Sequence, residues 1–435
     1  MKIHVKPAKR LRGSLSVPAD KSIAQRAALF SLLSEETSVI SNYPHAEDPQ
    51  TALECIQKLG ARIEKKHQQL FIKGTGRTGI RAPDGAIDCR NSGTVMRLLS
   101  GIVAGSGVET VLTGDASLRL RPMNRIIKPL TMMGADITSA DGGYPPLQLR
   151  RNKPLEAIQF SLPVASAQLK SCILLAGLFG SDETRVLESV RSRNHTEIML
   201  GLPVEYHGDT VAISSSSRIH VPPQHVDIPG DFSAAAFWIV AASIVEGSDV
   251  LIEKTGINPT RCAALHIMER MGADIEIHNR RYAGKEEVAD IRVRSARPAG
   301  LMPTEIHPAE IPNAIDELPV LCVAMAFADG VSTIRGAEEL RYKESDRLAA
   351  IQQMLTSGGI KSEALKDGLI IHGNPAAKIK SASHDSRNDH RIAMAAAILS
   401  LKADDVSEIQ NAGAAAVSYP DFWKDLDKLT CKQGG

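Results

Sequence analysis

Apolar positions along the 435-residue chain gather into six long runs, each opened by polar residues. They are DKSIAQRAALFSLL, NSGTVMRLLSGIVAG, SAQLKSCILLAGLFG, DFSAAAFWIVAASIV, IDELPVLCVAMAFA and DHRIAMAAAILSL. With Lys21, Ser92, Ser166, Asp231, Asp316 and Asp389 as markers, the spacings are 71, 74, 65, 85 and 73 residues. Each run is apolar nearly all round, which predicts a helix buried on every side. A short strand-like segment follows each one: TSVIS, ETVLT, TRVLE, SDVLI, VSTIR and VSEIQ. Next come a polar loop and an amphipathic helix, as in DPQTALECIQKLG, RPMNRIIKPLTMMG, NHTEIML, NPTRCAALHIMERMG, KESDRLAAIQQMLTSGG and YPDFWKDLDKL. Three of these run into similar exits, LGARIE, MGADIT and MGADIE, where glycine ends the helix and a strand begins.

The pattern predicts six copies of a helix–strand–helix–strand unit, too long to be a common solenoid repeat. Six copies suggest two lobes of three. Buried helices with strands outside them invert the usual layering of α/β proteins. That inversion lets the capped N-termini of several buried helices converge. Such N-termini carry unpaired N–H groups and partial positive charge, which suit phosphate and carboxylate ligands.

Composition narrows the classes. Apolar residues make up 43% and charged residues 23%, with a net charge of +1, as in an ordinary globular protein. No overall basic field argues for nucleic acid or an anionic membrane surface, whereas a small anion needs only a local basic cluster. The six cysteines form no C-x-x-C, and most lie in apolar helical patterns, which predicts reduced core thiols in the cytoplasm. The basic start MKIHVKPAKRLRG is followed by no apolar stretch, so no signal peptide is expected. The longest apolar run, Ala234–Val245, has 12 residues and is too short to span a bilayer. No histidine spacing suggests a metal site, and neither metal nor cofactor is expected.

The unusual polar residues sit at the starts of the buried helices and in the loops before the amphipathic ones. Lys21, Ser22 and Arg26 open the first unit, and Asn91, Ser92, Gly93, Thr94 and Arg97 the second, with Arg119 and Arg121 in its loop. Ser166 and Gln168 open the third, with Arg193 and His195 in its loop. Asp316 and Glu317 open the fifth, with Lys343, Glu344, Asp346 and Arg347 in its loop, and Asp389, His390 and Arg391 open the sixth. Asp20, Asn91, Asp231 and Asp389 have a plain alternative as N-caps, and RYKESDR one as a solvated charge run. Cations in the first turns of a helix run against its dipole, so Lys21, Arg26, Arg97 and Arg391 point to a site for an anion with two or more negative groups. GTGRTG at Gly74–Gly79 matches a phosphate-loop spacing, but IRAPDG after it cannot open a helix, so a turn is expected. The basic KPAKRLR reads as a solvated strand edge.

These motifs together resemble the 5-enolpyruvylshikimate-3-phosphate synthase family, over essentially the full length. The residues that carry the resemblance are Lys21-Ser22-x-x-x-Arg26, Asn91-Ser92-Gly93-Thr94-x-x-Arg97, Gly114-Asp115-x-x-Leu118-x-x-Arg121-Pro122-Met123, Ser166-Ala167-Gln168, Ile315-Asp316-Glu317, Arg341-x-Lys343-Glu344-Ser345-Asp346-Arg347 and Asp389-His390-Arg391. The family implies an α/β (α+β) fold of two lobes, each of three βαβαββ repeats with buried helices and outer sheets, an inside-out barrel-like arrangement. Residues 20–228 would form one lobe and residues 1–19 with 229–435 the other, with the active site in the cleft between them. The resemblance also implies the reaction, transfer of the enolpyruvyl group of phosphoenolpyruvate to the 5-hydroxyl of shikimate 3-phosphate with release of phosphate. That step belongs to the shikimate pathway of aromatic amino acid biosynthesis and is the target of glyphosate.

By the same resemblance, shikimate 3-phosphate is held by Lys21, Ser22, Arg26, Ser166, Gln168, Arg193, Asp316 and Lys343. Phosphoenolpyruvate is held by Lys21, Gly93, Arg121, Gln168, Arg347 and Arg391. Asp316 would be the base for the 5-hydroxyl and Glu344 the acid and base at the methylene carbon, with Lys21 and His390 helping phosphate leave. A cytoplasmic monomer is implied, with no partner besides the two small substrates. The sequence departs from the family at several places. Ala19-Asp20 stands where Gly-Ser is common before the lysine, and Ala167 where many members have a second serine. Arg193 lies in a region where others use serine, and Val417 where some carry a phosphate-binding lysine. The sister enzyme acting on UDP-N-acetylglucosamine typically has Lys-Asn at the first motif and a cysteine in the second unit's loop. Here the pair is Lys21-Ser22 and the loop GDASLRLRPM has no cysteine. A non-catalytic anion-binding repeat is disfavoured by Asp316 and Glu344, because uncompensated carboxylates would weaken anion binding.

Overall fold

The computed structural model describes residues 1–151, 154–180, 182–295 and 300–430. The six apolar runs form helices α1 (Lys21–Leu33), α2 (Gly93–Ser106), α3 (Ala167–Gly177), α4 (Phe232–Ile244), α5 (Leu318–Ala326) and α6 (His390–Ser400). Burial follows the pattern: every residue of α4, α5 and α6 is buried, and α1 is buried from Ile23 onward. Side-chain caps start five of them, and on α2 the cap is Ser92 rather than the Asn91 that the sequence offered. Asp20 accepts from the Ile23 amide at 2.8 Å, Ser92 from Val95 at 3.3 Å and Ser166 from Leu169 at 3.4 Å. Asp231 accepts from Ser233 at 2.7 Å and Asp389 from Arg391 at 2.9 Å. Helix α5 begins after Glu317 without a side-chain cap and has Pro319 in its first turn, where a missing N–H costs nothing.

The amphipathic helices bury one stripe each. Asn124–Met132 buries Ile126, Pro129 and Leu130, and Phe422–Thr430 buries Phe422, Leu426 and Leu429. Two glycines illustrate how sequence sets packing distance. A Cβ at Gly101 on α2 would lie 2.2 Å from the Cys172 carbonyl of α3, so only glycine lets these helices approach so closely. At Gly74 a Cβ would lie 2.0 Å from the Ser31 carbonyl near the end of α1.

Among the described residues five open sheets have four strands and a sixth has three. The pattern is clearest in the first, ordered His225–Asp227, Thr37–Ser41, Gln69–Lys73, Arg62–Lys66. The outer pair is parallel, with Val226 opposite Ile40, and the rest is antiparallel. The repeat is therefore strand, buried helix, strand, amphipathic helix and hairpin. The periodicity had predicted only helix–strand–helix–strand. The parallel edge strands escape it because they are too short to show a period: Ile87–Asp88 and Glu305–Ile306 have two residues each. Among the described residues no sheet closes into a barrel.

The chain divides into two compact units, one of Ala19–Ile228 with Ala283–Glu286, the other of Met1–Pro18, Pro229–Tyr282 and the residues from Glu287 onward. Each has its own hydrophobic core around three of the buried helices. The N-terminal segment completes two sheets of the second unit. Arg12–Ser16 pairs in parallel with Asp249–Gly256, and Lys2–Val5 runs antiparallel to Ser407–Gln410. Of KPAKRLR, read from sequence as a strand edge, Arg12 begins the edge strand, whereas Lys6 to Leu11 form the connector, where Pro7 has no amide to give a ladder. Gly74–Gly79 is a turn, and its Arg77 donates to the Leu178 carbonyl at 2.6 Å, satisfying the end of α3. Cys55, Cys89, Cys172, Cys262 and Cys322 are buried free thiols, and burial pushes Cys262 up to about 11. Cys431 lies outside the described residues. No helix among the described residues is long and apolar enough to cross a membrane.

Candidate active site

In the first unit the starts of α1, α2 and α3 carry the expected polar residues, each seated by a neighbour. Lys21, the first residue of α1, places its ammonium 3.1 Å from Asp48 of the following amphipathic helix. One turn on, Arg26 is 2% exposed and lies against the helix His195–Leu200. It donates to Thr196 Oγ1 at 2.9 Å, to Ser171 Oγ at 3.3 Å and to the Ser22 carbonyl at 3.2 Å. Burial, and then the charge of Arg193, lower its pKa to about 10 against the carboxylates of Glu197, Asp20 and Glu286. Two neighbouring guanidinium groups, one buried, create a demand for an anion.

The second unit of sequence supplies a donor array around Gly93. Asn91 accepts from Arg121 at 2.9 Å and donates to Asp115 at 2.9 Å. Gln168 on α3 accepts from Arg97 at 2.6 Å and donates to Thr94 at 2.9 Å. Gln25 bonds Ser92 Oγ at 2.7 Å, so α1 and α2 are tied at their starts. A Cβ at Gly93 would meet the Arg97 guanidinium at 2.9 Å, and the bare backbone leaves room beside the helix N-terminus. Ser166 caps α3, and His195 is buried with Nδ1 2.7 Å from Glu286.

The second unit of the fold gathers the carboxylates. Arg347, 1% exposed, donates from Nε to Asp389 at 2.8 Å and from one terminal nitrogen to Glu344 at 2.5 Å. Asp316 lies 3.6 Å from Arg347 and 3.6 Å from Arg391, whose guanidinium also donates to the Asp316 carbonyl at 2.8 Å. Burial pulls the Arg347 pKa down, but Asp389, Glu344 and Asp316 outweigh it and hold it above the ordinary arginine value. Burial likewise pushes the Asp389 carboxyl up, and the charges of Arg347 and His390 reverse that and hold it below the ordinary value. Ser345 adds a bond to Asp389 at 3.1 Å. His390 is buried as the first residue of α6. Lys343 bonds Glu339, four residues back, at 3.1 Å, while Arg341 bonds Asp346.

Several pairings within these clusters carried no warning in the sequence. Asp389 reads as an N-cap and is one, yet it is also the buried counter-ion of Arg347. Glu317 pairs with the buried Arg261 at 2.9 Å and lies 3.8 Å from Arg391, joining the fourth, fifth and sixth repeats. Asp48 and Thr196 look like ordinary helix-start residues. Lys170 is hidden inside an apolar helix, and its one signal is a lysine where the pattern wants an apolar side chain. Val417 lies half-buried in the short helix Ala412–Val417.

Comparison with known proteins places the chain in a family. The family model for EPSP synthase (3-phosphoshikimate 1-carboxyvinyltransferase) matches residues 5–426. The chain is 46% identical over 423 residues to the 3-phosphoshikimate 1-carboxyvinyltransferase of Salinibacter ruber, covering 97% of each. It is 46% identical over 426 residues to that of Alkalilimnicola ehrlichii, covering 97% of this chain and 94% of the relative. A solved EPSP synthase from Acinetobacter baumannii superposes with a TM-score of 0.85 at 38% identity, covering 99% of this chain and 98% of that one. The enolpyruvyl transferase NikO from Streptomyces tendae shares the fold alone, with a TM-score of 0.75 at 16% identity over 98% of this chain and 96% of that one. On the match over the whole length and the identity to these relatives, this chain belongs to the EPSP synthase family.

Proposed function

We propose the following residue roles toward the two substrates, phosphoenolpyruvate and shikimate 3-phosphate. The enzyme is a 3-phosphoshikimate 1-carboxyvinyltransferase, and its reaction has three needs. A proton must reach the methylene carbon C3, the 5-hydroxyl must attack C2, and the tetrahedral ketal must then lose phosphate and a C3 proton. Lys21, Ser22, Arg26, Ser166, Gln168, Arg193, Asp316 and Lys343 hold shikimate 3-phosphate. Lys21, Gly93, Arg121, Gln168, Arg347 and Arg391 hold phosphoenolpyruvate, whose carboxylate and phosphate match arginine forks. Asp316 takes the proton of the 5-hydroxyl, Glu344 gives and later removes the proton at C3, and Lys21 and His390 aid the leaving phosphate.

One observation carries the assignment: Asp316 sits 3.6 Å from both Arg347 and Arg391, and Glu344 sits 2.5 Å from Arg347. The two carboxylates share the arginines that the substrate's anionic groups would claim. When phosphoenolpyruvate draws on those guanidinium groups, Asp316 and Glu344 lose cationic support and their proton affinity rises. Ligand binding thus primes the base and the acid. A cytoplasmic monomer is part of the same proposal, supported as to compartment by five buried free thiols.

The test is phosphate release from phosphoenolpyruvate with shikimate 3-phosphate or UDP-N-acetylglucosamine as acceptor. Release only with shikimate 3-phosphate is expected. Asp316→Asn should lower turnover on the order of a hundred- to ten-thousand-fold while binding of phosphoenolpyruvate persists or tightens. Near-normal turnover in that variant would remove Asp316 as the base.

A further inference from the structure

Lys170 lies on α3, two residues beyond Gln168, with its side chain fully buried. Its ammonium is 2.9 Å from Glu188 and 2.5 Å from Glu197, and it donates to the Ser192 carbonyl at 3.4 Å. Glu188 is held further by Ser192, whose hydroxyl donates to it at 2.8 Å and whose amide at 3.3 Å. Glu197 and Glu188 are 5% and 3% exposed. Two carboxylates in such surroundings need a cation, and Lys170 supplies it.

Arg26 is the other buried cation at this place. Among the described residues its hydrogen bonds all go to neutral acceptors: Thr196, Ser171 and the Ser22 carbonyl. Thr196 adjoins Glu197 in sequence, and Ser171 adjoins Lys170, so the two networks touch at both ends. The charge of Glu197 is felt at Arg26, and the second oxygen of Glu197 has no hydrogen-bond partner among the described residues. A carboxylate therefore lies within electrostatic reach of a buried arginine without pairing with it.

We propose that Lys170 is a positioning residue that keeps Glu197 and Glu188 occupied, so that Arg26 retains its charge for the anionic end of shikimate 3-phosphate. This rests on the reading of Arg26 as a ligand for that substrate. Of the carboxylates around Arg26, Glu197 acts on it most strongly, so without Lys170 an internal ion pair with Glu197 would replace the one made with substrate. The device differs from a mere packing lysine because it predicts weaker binding from Lys170→Met but not from Glu197→Gln.

The experiment measures shikimate 3-phosphate dissociation constants by calorimetry and steady-state constants for both substrates. Lys170→Met should raise the dissociation constant and KM for shikimate 3-phosphate roughly ten- to hundredfold. The KM for phosphoenolpyruvate should stay near its normal value. The double variant Lys170→Met, Glu197→Gln removes the competing anion and should return affinity to within about threefold of the parent. Glu197→Gln alone should bind shikimate 3-phosphate as tightly as the parent or more tightly. That single variant also decides the matter if Lys170→Met does not fold, because a packing role predicts weaker binding from it. No rescue in the double variant, or weaker binding in Glu197→Gln, overturns the inference. Arg26→Gln is the reference: if it loses shikimate 3-phosphate while Lys170→Met does not, this inference alone fails. If Arg26→Gln binds normally, the assignment of Arg26 fails and the inference with it.

Discussion

Arg347 shows how one side chain serves two purposes. Its 1% exposure and its bonds to Asp389 and Glu344 make it part of the core of its unit, yet it is also assigned to hold substrate. Removing one partner of a buried ion pair costs about 3–5 kcal/mol, because the other charge stays buried. Arg347→Met should therefore lower stability by about that amount as well as abolish turnover, measured by urea denaturation. His384 offers a contrasting residue. It is 3% exposed, neither ring nitrogen has a hydrogen-bond partner among the described residues, and burial lowers its pKa from 6.5 to about 4. Between those values the unfolded chain binds a proton that the folded chain does not, so stability is intact above pH 6.5 and falls as pH drops toward about 4. The loss amounts to about 3 kcal/mol by the bottom of that window. His384→Leu should flatten the decline, as read from denaturation midpoints at pH 7 and pH 5; an unchanged slope would remove His384 as a source of acid lability.

At the scale of elements, the buried helices matter more than the sheets. Helices α2 and α3 approach so closely at Gly101 that an added methyl would strike the Cys172 carbonyl at 2.2 Å. Gly101→Ala should cost about 1–3 kcal/mol by overpacking, with a lowered denaturation midpoint. It should also weaken substrate binding, since Arg97 on α2 and Gln168 on α3 are bonded across the same helix pair at 2.6 Å. Activity lost without loss of stability would show that the glycine serves the ligand rather than the helix crossing. The amphipathic and all-apolar runs were plain from periodicity. The two-residue edge strands were not, since their pairing depends on neighbours far along the chain.

At the scale of the whole molecule, the chain's order differs from its assembly. Met1–Pro18 belongs to the unit formed by the later residues, and Arg12–Ser16 supplies a parallel edge to Asp249–Gly256. Such pairing must wait until both segments exist, which makes the second unit the slower to form. Deleting residues 1–18 should leave the amides of Ala19–Ile228 protected and raise exchange in Asp249–Gly256, measured by hydrogen exchange. Uniform protection throughout would contradict this division of labour.

The sequence by itself determined the six buried helices and most of their caps, and it singled out the candidate site residues. Those follow from local chemistry: apolar periodicity, a capping oxygen, and cations placed against a helix dipole. Only the tertiary structure decided which charges neutralise which. Asp389 with Arg347, Glu317 with Arg261, and Lys170 with Glu188 and Glu197 are pairs made between repeats or between a buried helix and a later strand and helix of its own repeat. Nothing in the spacing of those residues foretells them. The free energy of a buried charge depends on what surrounds it in space, and a sequence records only what adjoins it along the chain.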